Sequence, residues 1–286
     1  VALVAIGGVL YGYDIGVIAG AMHLINDYFK ALGVPLTPFQ QGRIHGAVLA
    51  GGLVGTLLAS PVADRYGRRS VILFACVNFV IGIVLIILSS TFMTLLAARL
   101  VLGVAVGIIA VAVPLYVTEL VDAERRGMYV GFFQLFLTLG ILLAYVVDWQ
   151  LDKGGHWRLM FAVVLVPTAI LFIGMCFLPE SPRWLWRQRK EKASRQILKK
   201  THAQTAVDQV VSEFKQSSIA ERGRWSDFRS RSQLVMLGLA VMIAILNQWT
   251  GINTFLQYVP DLLRDSGVGT HLNSLTMSLP VPILNV

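Results

Sequence analysis

An acid and an arginine stand in this sequence where water should be scarce. Asp14 interrupts the apolar stretch Val1–Gly20, VALVAIGGVLYGYDIGVIAG. Roughly 20 such residues, at about 1.5 Å each, cross the hydrocarbon core of a bilayer. A charge inside such a run is expensive, and membrane helices keep one only where it faces a bundle interior or a watery cavity, usually beside a partner. Arg99 lies about six residues into a later apolar run, 93–120. Arginine keeps its proton, so Asp14 is the group of the two that can change charge. Burial and a neighbouring cation pull an acid's proton affinity in opposite directions, so movement of either residue would alter it. That is the physics a proton-coupled machine needs. The simpler alternative is a static structural ion pair.

The element that carries Asp14 is itself shaped for packing. Glycines at 8, 12, 16 and 20 recur every fourth residue and predict a smooth helical stripe for a second helix. Apolar runs of spanning length follow at about 1–28, 40–63, 70–90, 93–120, 127–148, 157–178 and 232–259, and an eighth begins near Asn273. The composition agrees. Of 286 residues, 56% are hydrophobic and 14% charged, against about 25% charged in soluble domains, which predicts an all-α polytopic membrane protein.

The net charge of +8 could suggest nucleic acid, but its placement argues for topology. Of 24 Lys and Arg, three lie in 64–70, two in 122–127 and thirteen in 179–232. These are alternate connections between apolar runs, and excess Lys and Arg marks cytoplasmic loops. Connections 29–39, 89–93 and 148–157 then lie outside, the chain starts from the cytoplasmic side, and Asp14 and Arg99 share a depth in the outer half. The stretch 179–231 is too polar to span and is expected to form short amphipathic helices, such as Arg187–Thr201, on the cytoplasmic surface. The expected organisation is 1–178 as a six-helix bundle, 179–231 as a helical linker, and 232–286 as the start of a second transmembrane half. The chain begins and ends inside spans, so a piece of a longer protein is expected. Cys76 and Cys176 lie in apolar runs and offer neither a disulfide framework nor metal spacing.

Five motifs occur in order: GYDIGVIAGA (12–21), ADRYGRR (63–69), RLVLGVAVG with PLYVTE (99–107 and 114–119), PESPRWL (179–185) and NQWTGIN (247–253). Together they resemble the sugar porters of the major facilitator superfamily. The resemblance covers the whole chain. It implies the first six helices, the cytoplasmic helical insert, helix 7 and part of helix 8 of that fold, in the cell (inner) membrane of a bacterium. It also implies no cofactor beyond a proton as coupling ion, since proton symporters of the family carry Asp where passive facilitators carry Asn, opposite an Arg like Arg99.

Sugar hydroxyls both donate and accept hydrogen bonds, and so do amides. Gln134, Asn247, Gln248 and Asn253 stand at the family's sugar-contact positions, with Tyr11 where a Phe usually lines the site. On an ideal helix Gln248 and Asn253 point about 140° apart, so both reach one cavity only if the helix unwinds near Gly251. Isolated membrane amides otherwise act as glue between helices. Asn247 in place of Gln, and Gln257 in place of Tyr, bear on which sugar is taken. At the cytoplasmic ends, Asp64, Arg65, Arg68, Arg69, Glu119, Arg125, Arg126, Glu180 and Arg183 form the set that family members use as an inner gate. Exposed ion pairs are individually weak, up to about 1 kcal/mol, so only a network of them would latch anything.

The expected function is proton-coupled symport of a monosaccharide by alternating access, with the bilayer and the remaining C-terminal half as partners and no nucleic acid. The chain alone is expected to be inactive, because one half must rock against the other. An uncoupled sugar or polyol facilitator and a transporter-like nutrient receptor are the alternatives. No HExxH, GxSxG, GxxxxGK[ST] or GxGxxG occurs, so no hydrolytic, nucleotide or metal enzyme is signalled. The topology is open to a direct check in the intact protein without its native cysteines. A single cysteine at Ser217 should react with an impermeant thiol reagent only after the membrane is opened, and one at Lys153 should react in intact cells; reversed accessibility would sink the orientation.

Overall fold

A computed structural model describes residues 2–201, 207, 208, 210–212, 214, 231–251 and 258. Every regular element among them is helical: α1 (Ala2–Ala31), α2 (Pro38–Tyr66), α3 (Arg68–Leu88), α4 (Phe92–Leu120), α5 (Arg126–Leu151), α6 (Trp157–Ala162), α7 (Leu165–Phe177), α8 (Pro182–Arg187), α9 (Glu191–Thr201) and α10 (Arg231–Trp249), with 3-10 turns at Ala123–Arg125 and Asp152–Gly154. Six segments are long and apolar enough to cross a membrane: α1, α2, α3, α4, α5, and α6 with α7 taken together as Trp157–Phe177. They match the six spans expected in 1–178. The seventh expected run is helical to Trp249 and then meets Gly251 at φ +68, a conformation that favours glycine. Residues 252–257 and the eighth run lie outside the described residues.

Local chemistry sets the helix ends. Thr37 and Gln40 cap α2 reciprocally: the Gln40 amide donates to Thr37 Oγ1 at 3.3 Å and the Thr37 amide to Gln40 Oε1 at 2.9 Å, with Pro38 in the first turn. Thr91 and Thr94 do the same for α4. The sixth span is interrupted at Val163 and Val164, because Pro167 has no N–H to give the Val163 carbonyl. That carbonyl accepts from Val166 instead, at 3.1 Å.

Contacts divide the chain into two units, residues 1–181 with 256–286, and residues 182–255. In the first, α1 runs along α5 and α2 along α4, while α4 also packs on α3 and α1, and α7 on α3 and α1. The glycine stripe of α1 does what its spacing predicts. A Cβ on Gly8 or Gly12 would overlap the carbonyl oxygens of Phe133 or Leu137, and one on Gly16 or Gly20 would strike Ala144 or Asp148. Gly140 of α5 answers it, fitting against Val9. The α2–α4 seam repeats the device, with Gly51 and Gly55 against Leu100 and Val104, and Gly103 and Gly107 against Val48 and Gly52. Backbones meet directly along both seams. Outside them, large apolar side chains such as Leu53, Leu57, Phe74 and Ile173 are exposed, as a hydrocarbon surrounding requires.

In the second unit, α8 and α9 enclose a small core of Trp186, Leu198, Val207 and Val211, tied by Ser194 Oγ donating to the Pro182 carbonyl at 2.8 Å. The amphipathic piece expected over Arg187–Thr201 begins only at Glu191. The chain turns first, with Arg189 at φ 59 and the Lys190 amide closing back on Leu185 at 2.9 Å.

The seams make a direct prediction for the full-length protein. Gly12→Ala forces a methyl into a backbone carbonyl and should lower stability by about 1–3 kcal/mol, as overpacking does. Gly42→Ala meets open space and should leave the thermal unfolding curve in place; equal curves for the two variants would refute the close approach.

Candidate functional site

The site begins where α1 crosses α4. Asp14 is 3% exposed and Arg99 1%, and Arg99 Nη1 donates to Asp14 Oδ1 at 2.8 Å. Residues 85 apart in sequence are thus one ion pair inside the bundle. The guanidinium also lies 5.5 Å from the ring centroid of Phe161, so an aromatic face covers a side that water would otherwise hydrate. The contact uses one nitrogen and one oxygen, and Arg99 Nε has no hydrogen-bond partner among the described residues. A single charge-assisted bond is strong yet less constraining than a bidentate fork, so it can be broken without dismantling a rigid cradle.

Tyr11, one turn before Asp14, is half-buried, and Gln134 is exposed on α5 beside buried Phe133. Asn247 and Gln248 are carried by the last turn of α10, in the second unit, where Gln248 is exposed; Asn253 lies outside the described residues. Tyr258 belongs to the first unit and faces His45 of α2, ring centroids 4.7 Å apart.

At the end of the bundle where α2 gives way to α3, the structure sorts the expected charges. Arg68 is 2% exposed and central. It pairs with Glu119 at 2.8 Å and Asp64 at 2.9 Å, and donates to the Ala63 carbonyl at 3.0 Å. Glu119 is completed by Ser181, whose hydroxyl donates at 2.5 Å. Glu180 does not pair through its partner's guanidinium: its Oε1 accepts from the backbone amides of Arg69 at 3.0 Å and Ser181 at 2.9 Å. The Arg69 guanidinium instead reaches the last carbonyls of α7, Met175 at 2.9 Å and Cys176 at 2.6 Å. Tyr116 adds a bond to the Pro179 carbonyl at 2.5 Å. α2, α3, α4 and α7 are therefore knotted at this end. Arg65 lies over the Tyr66 ring at 5.4 Å, and Arg125 and Arg126 are exposed, with no ion pair for these three among the described residues. Arg183 stands in the second unit, half-buried. Ser181 and Tyr116 were missed as members of this network, although both lie inside the quoted motifs; uncharged hydroxyls carry no sequence-level sign of which acid or carbonyl they will meet.

The difference between Arg68 and Arg125 is measurable. Arg68→Ala leaves Glu119 buried without its cation and should cost about 3–5 kcal/mol in the full-length protein. Arg125→Ala, at an exposed position, should change stability by no more than about 0.5 kcal/mol. Similar thermal unfolding for both variants would dismiss the network around Arg68.

Comparison with known proteins places this geometry in a family. The family described as sugar (and other) transporter matches residues 1–286. The glucose transporter GlcP of Staphylococcus epidermidis is 34% identical over 99% of this chain and 62% of its own length. The arabinose-proton symporter of Escherichia coli is 31% identical over 97% of this chain and 58% of its own. The chain thus spans about three fifths of the length of the curated relatives it matches. Among solved structures, the proton:xylose symporter XylE of E. coli, bound to 6-bromo-6-deoxy-D-glucose, superposes with a TM-score of 0.84 at 28% identity, over 98% of this chain and 65% of its own. With a family match from the first residue to the last and a shared six-helix bundle, the chain belongs to the sugar (and other) transporter family and is a multi-pass membrane protein of the major facilitator superfamily fold.

Proposed function

We propose that the whole protein containing this chain is a proton-coupled carrier of a monosaccharide, working by alternating access in the cell (inner) membrane of a bacterium. The observation that carries this reading is the buried Asp14–Arg99 pair. A proton arriving at Asp14 removes its charge and cancels most of the attraction holding α1 to α4 at this level. Arg99 is then buried without a counter-charge, an unfavourable state that a shift of α1 or admission of water relieves. Proton binding is thereby converted into a change of helix packing. An uncoupled facilitator has no need of a titratable group at this position.

The relatives are named for glucose, arabinose and xylose, which supports a monosaccharide as cargo. Gln134 and Tyr11 from the first half, with Asn247, Gln248 and Asn253 from the second, are the residues proposed to meet its hydroxyls. The knot around Arg68, together with Arg65, Arg125, Arg126 and Arg183 of the same motif set, is the proposed inner gate. It holds four helix ends of one half together, so that the half moves as a body. The Lys and Arg asymmetry places that knot on the cytoplasmic side. Both halves are required for this cycle, so the chain by itself is proposed to be inactive.

The deciding measurement is sugar-induced alkalinisation of the medium by cells or vesicles holding the full-length protein. Asp14→Asn keeps the shape of the side chain but not the titratable proton. It should abolish alkalinisation and uphill accumulation while sugar still binds, with the amount of protein in the membrane measured alongside. Gln134→Ala should instead weaken sugar binding by about 1–3 kcal/mol, the loss of a buried hydrogen bond. An Asp14→Asn protein that still concentrates sugar and takes up protons with it would end the coupling assignment. A parent that moves sugar without protons would make the protein a facilitator.

A further inference from the structure

Asp14 is not the only acid enclosed by the bundle. Asp148, in the last turn of α5, is 1% exposed, and neither carboxyl oxygen has a side-chain hydrogen-bond partner among the described residues. Its side chain rests on the Cα of Gly20, within the glycine seam of α1. One helical turn further on, opening the 3-10 turn after α5, stands Asp152, 9% exposed, which meets His23 Nε2 of α1 at 2.6 Å. Along α1 the three levels are ordered: Gly20 lies about 9 Å beyond Asp14, and His23 about 4.5 Å beyond Gly20, at about 1.5 Å per residue. Titratable groups thus mark successive levels of α1 from Asp14 to the end of the bundle opposite Arg68, Asp14 facing α4 and the two later levels facing α5 and the turn after it.

The groups around Asp148 are largely committed elsewhere. α1 contributes Tyr13, whose hydroxyl donates to the Met160 carbonyl at 2.5 Å, and His23, paired with Asp152. α5 itself contributes Tyr145, and the turn after it Asp152. α4 contributes Arg99, engaged with Asp14, while its Tyr116 and Glu119 stand at the far end of the bundle with the Pro179 carbonyl and Arg68. Arg158 of α6 donates to the carbonyls of Ile87 at 2.9 Å and Ser89 at 2.8 Å. The turn Ala123–Arg125 brings its charges only to the other end of α5. No cation among these donates to Asp148. An ionised carboxylate enclosed this way would have neither water nor counter-charge, a cost a protein avoids by keeping a proton on the group.

We propose that Asp148 is a second proton-binding carboxyl of the carrier, set between Asp14 and the outer surface and exchanging its proton with the outside past the His23–Asp152 pair. The proton comes from external water and returns to it or passes inward; no other group changes its bonding. The site takes its role in transport, though not its existence, from the proton-coupled reading above. A tight glycine seam is what makes the site possible, because Gly20 leaves room for the acid and excludes water from it.

The test uses the purified full-length carrier and the infrared difference spectrum between alkaline and acid pH, which shows protonated carboxyls as C=O stretching bands. Asp148→Asn should remove one band present in the parent. Asp148→Glu, which retains a carboxyl, should move that band instead, and carries the test if the Asn variant fails to fold. In vesicles, Asp148→Asn should shift the dependence of sugar uptake on outside pH, and His23→Gln should shift it too. A parent and Asp148→Asn protein with identical carboxyl bands would overturn the proposal. The coupling reading fails separately, if the parent transports sugar without alkalinising the medium, and the band assigned to Asp148 is decided whichever way that falls.

Discussion

A carboxylate can be held inside a helical bundle only if something other than water meets its charge, and the rest of this structure is arranged around that requirement at Asp14. Arg99 answers it from α4 at 2.8 Å, with Phe161 covering the guanidinium. For two helices to bring these groups together at one depth, their neighbours must hold them at fixed rotation. The two glycine seams supply this, since backbones in direct contact leave little freedom to slide or roll. α1 is set by α5, α4 is set by α2, and the pair closes between them.

The two ends of the bundle are built from different chemistry. At one end Arg68, Glu119, Asp64, Ser181 and Glu180 make a network centred on an arginine, which supplies a permanent positive charge. At the other end the link between α1 and the chain after α5 is a histidine and an aspartate, both titratable, with Asp148 below them. The broken sixth span belongs to the same end: α6 begins just past the His23–Asp152 pair and sends Arg158 to the carbonyls that finish α3.

Much of this was legible without coordinates. The six spans follow from unbroken apolar runs and a rise of about 1.5 Å per residue. The α1 seam follows from glycines at every fourth position, and the singularity of Asp14 from the cost of charge in an apolar run. Helix starts at Thr37 and Thr91 obey local capping chemistry. These are properties of neighbours in sequence, or of one helix against a uniform surrounding, and so they need no fold.

Pairings were another matter. That Arg68 takes Glu119 and Asp64 while Glu180 turns to backbone amides could not be read from a list of charges, because exposed acids and bases close in sequence are nearly equivalent until packing buries some of them. Arg65, Arg125 and Arg126 had the same sequence credentials as Arg68 and stayed at the surface. Asp148 and Asp152 stand in the sequence at the edge of connection 148–157, and only contact with Gly20 and His23 distinguishes them from other loop acids. The sequence by itself determined which segments are helical, which faces can touch, and that one acid had to be exceptional. The tertiary structure alone decided which side chains meet, because rotation and depth of each helix are set by every neighbour at once, and a shift of one residue turns a side chain about 100° away.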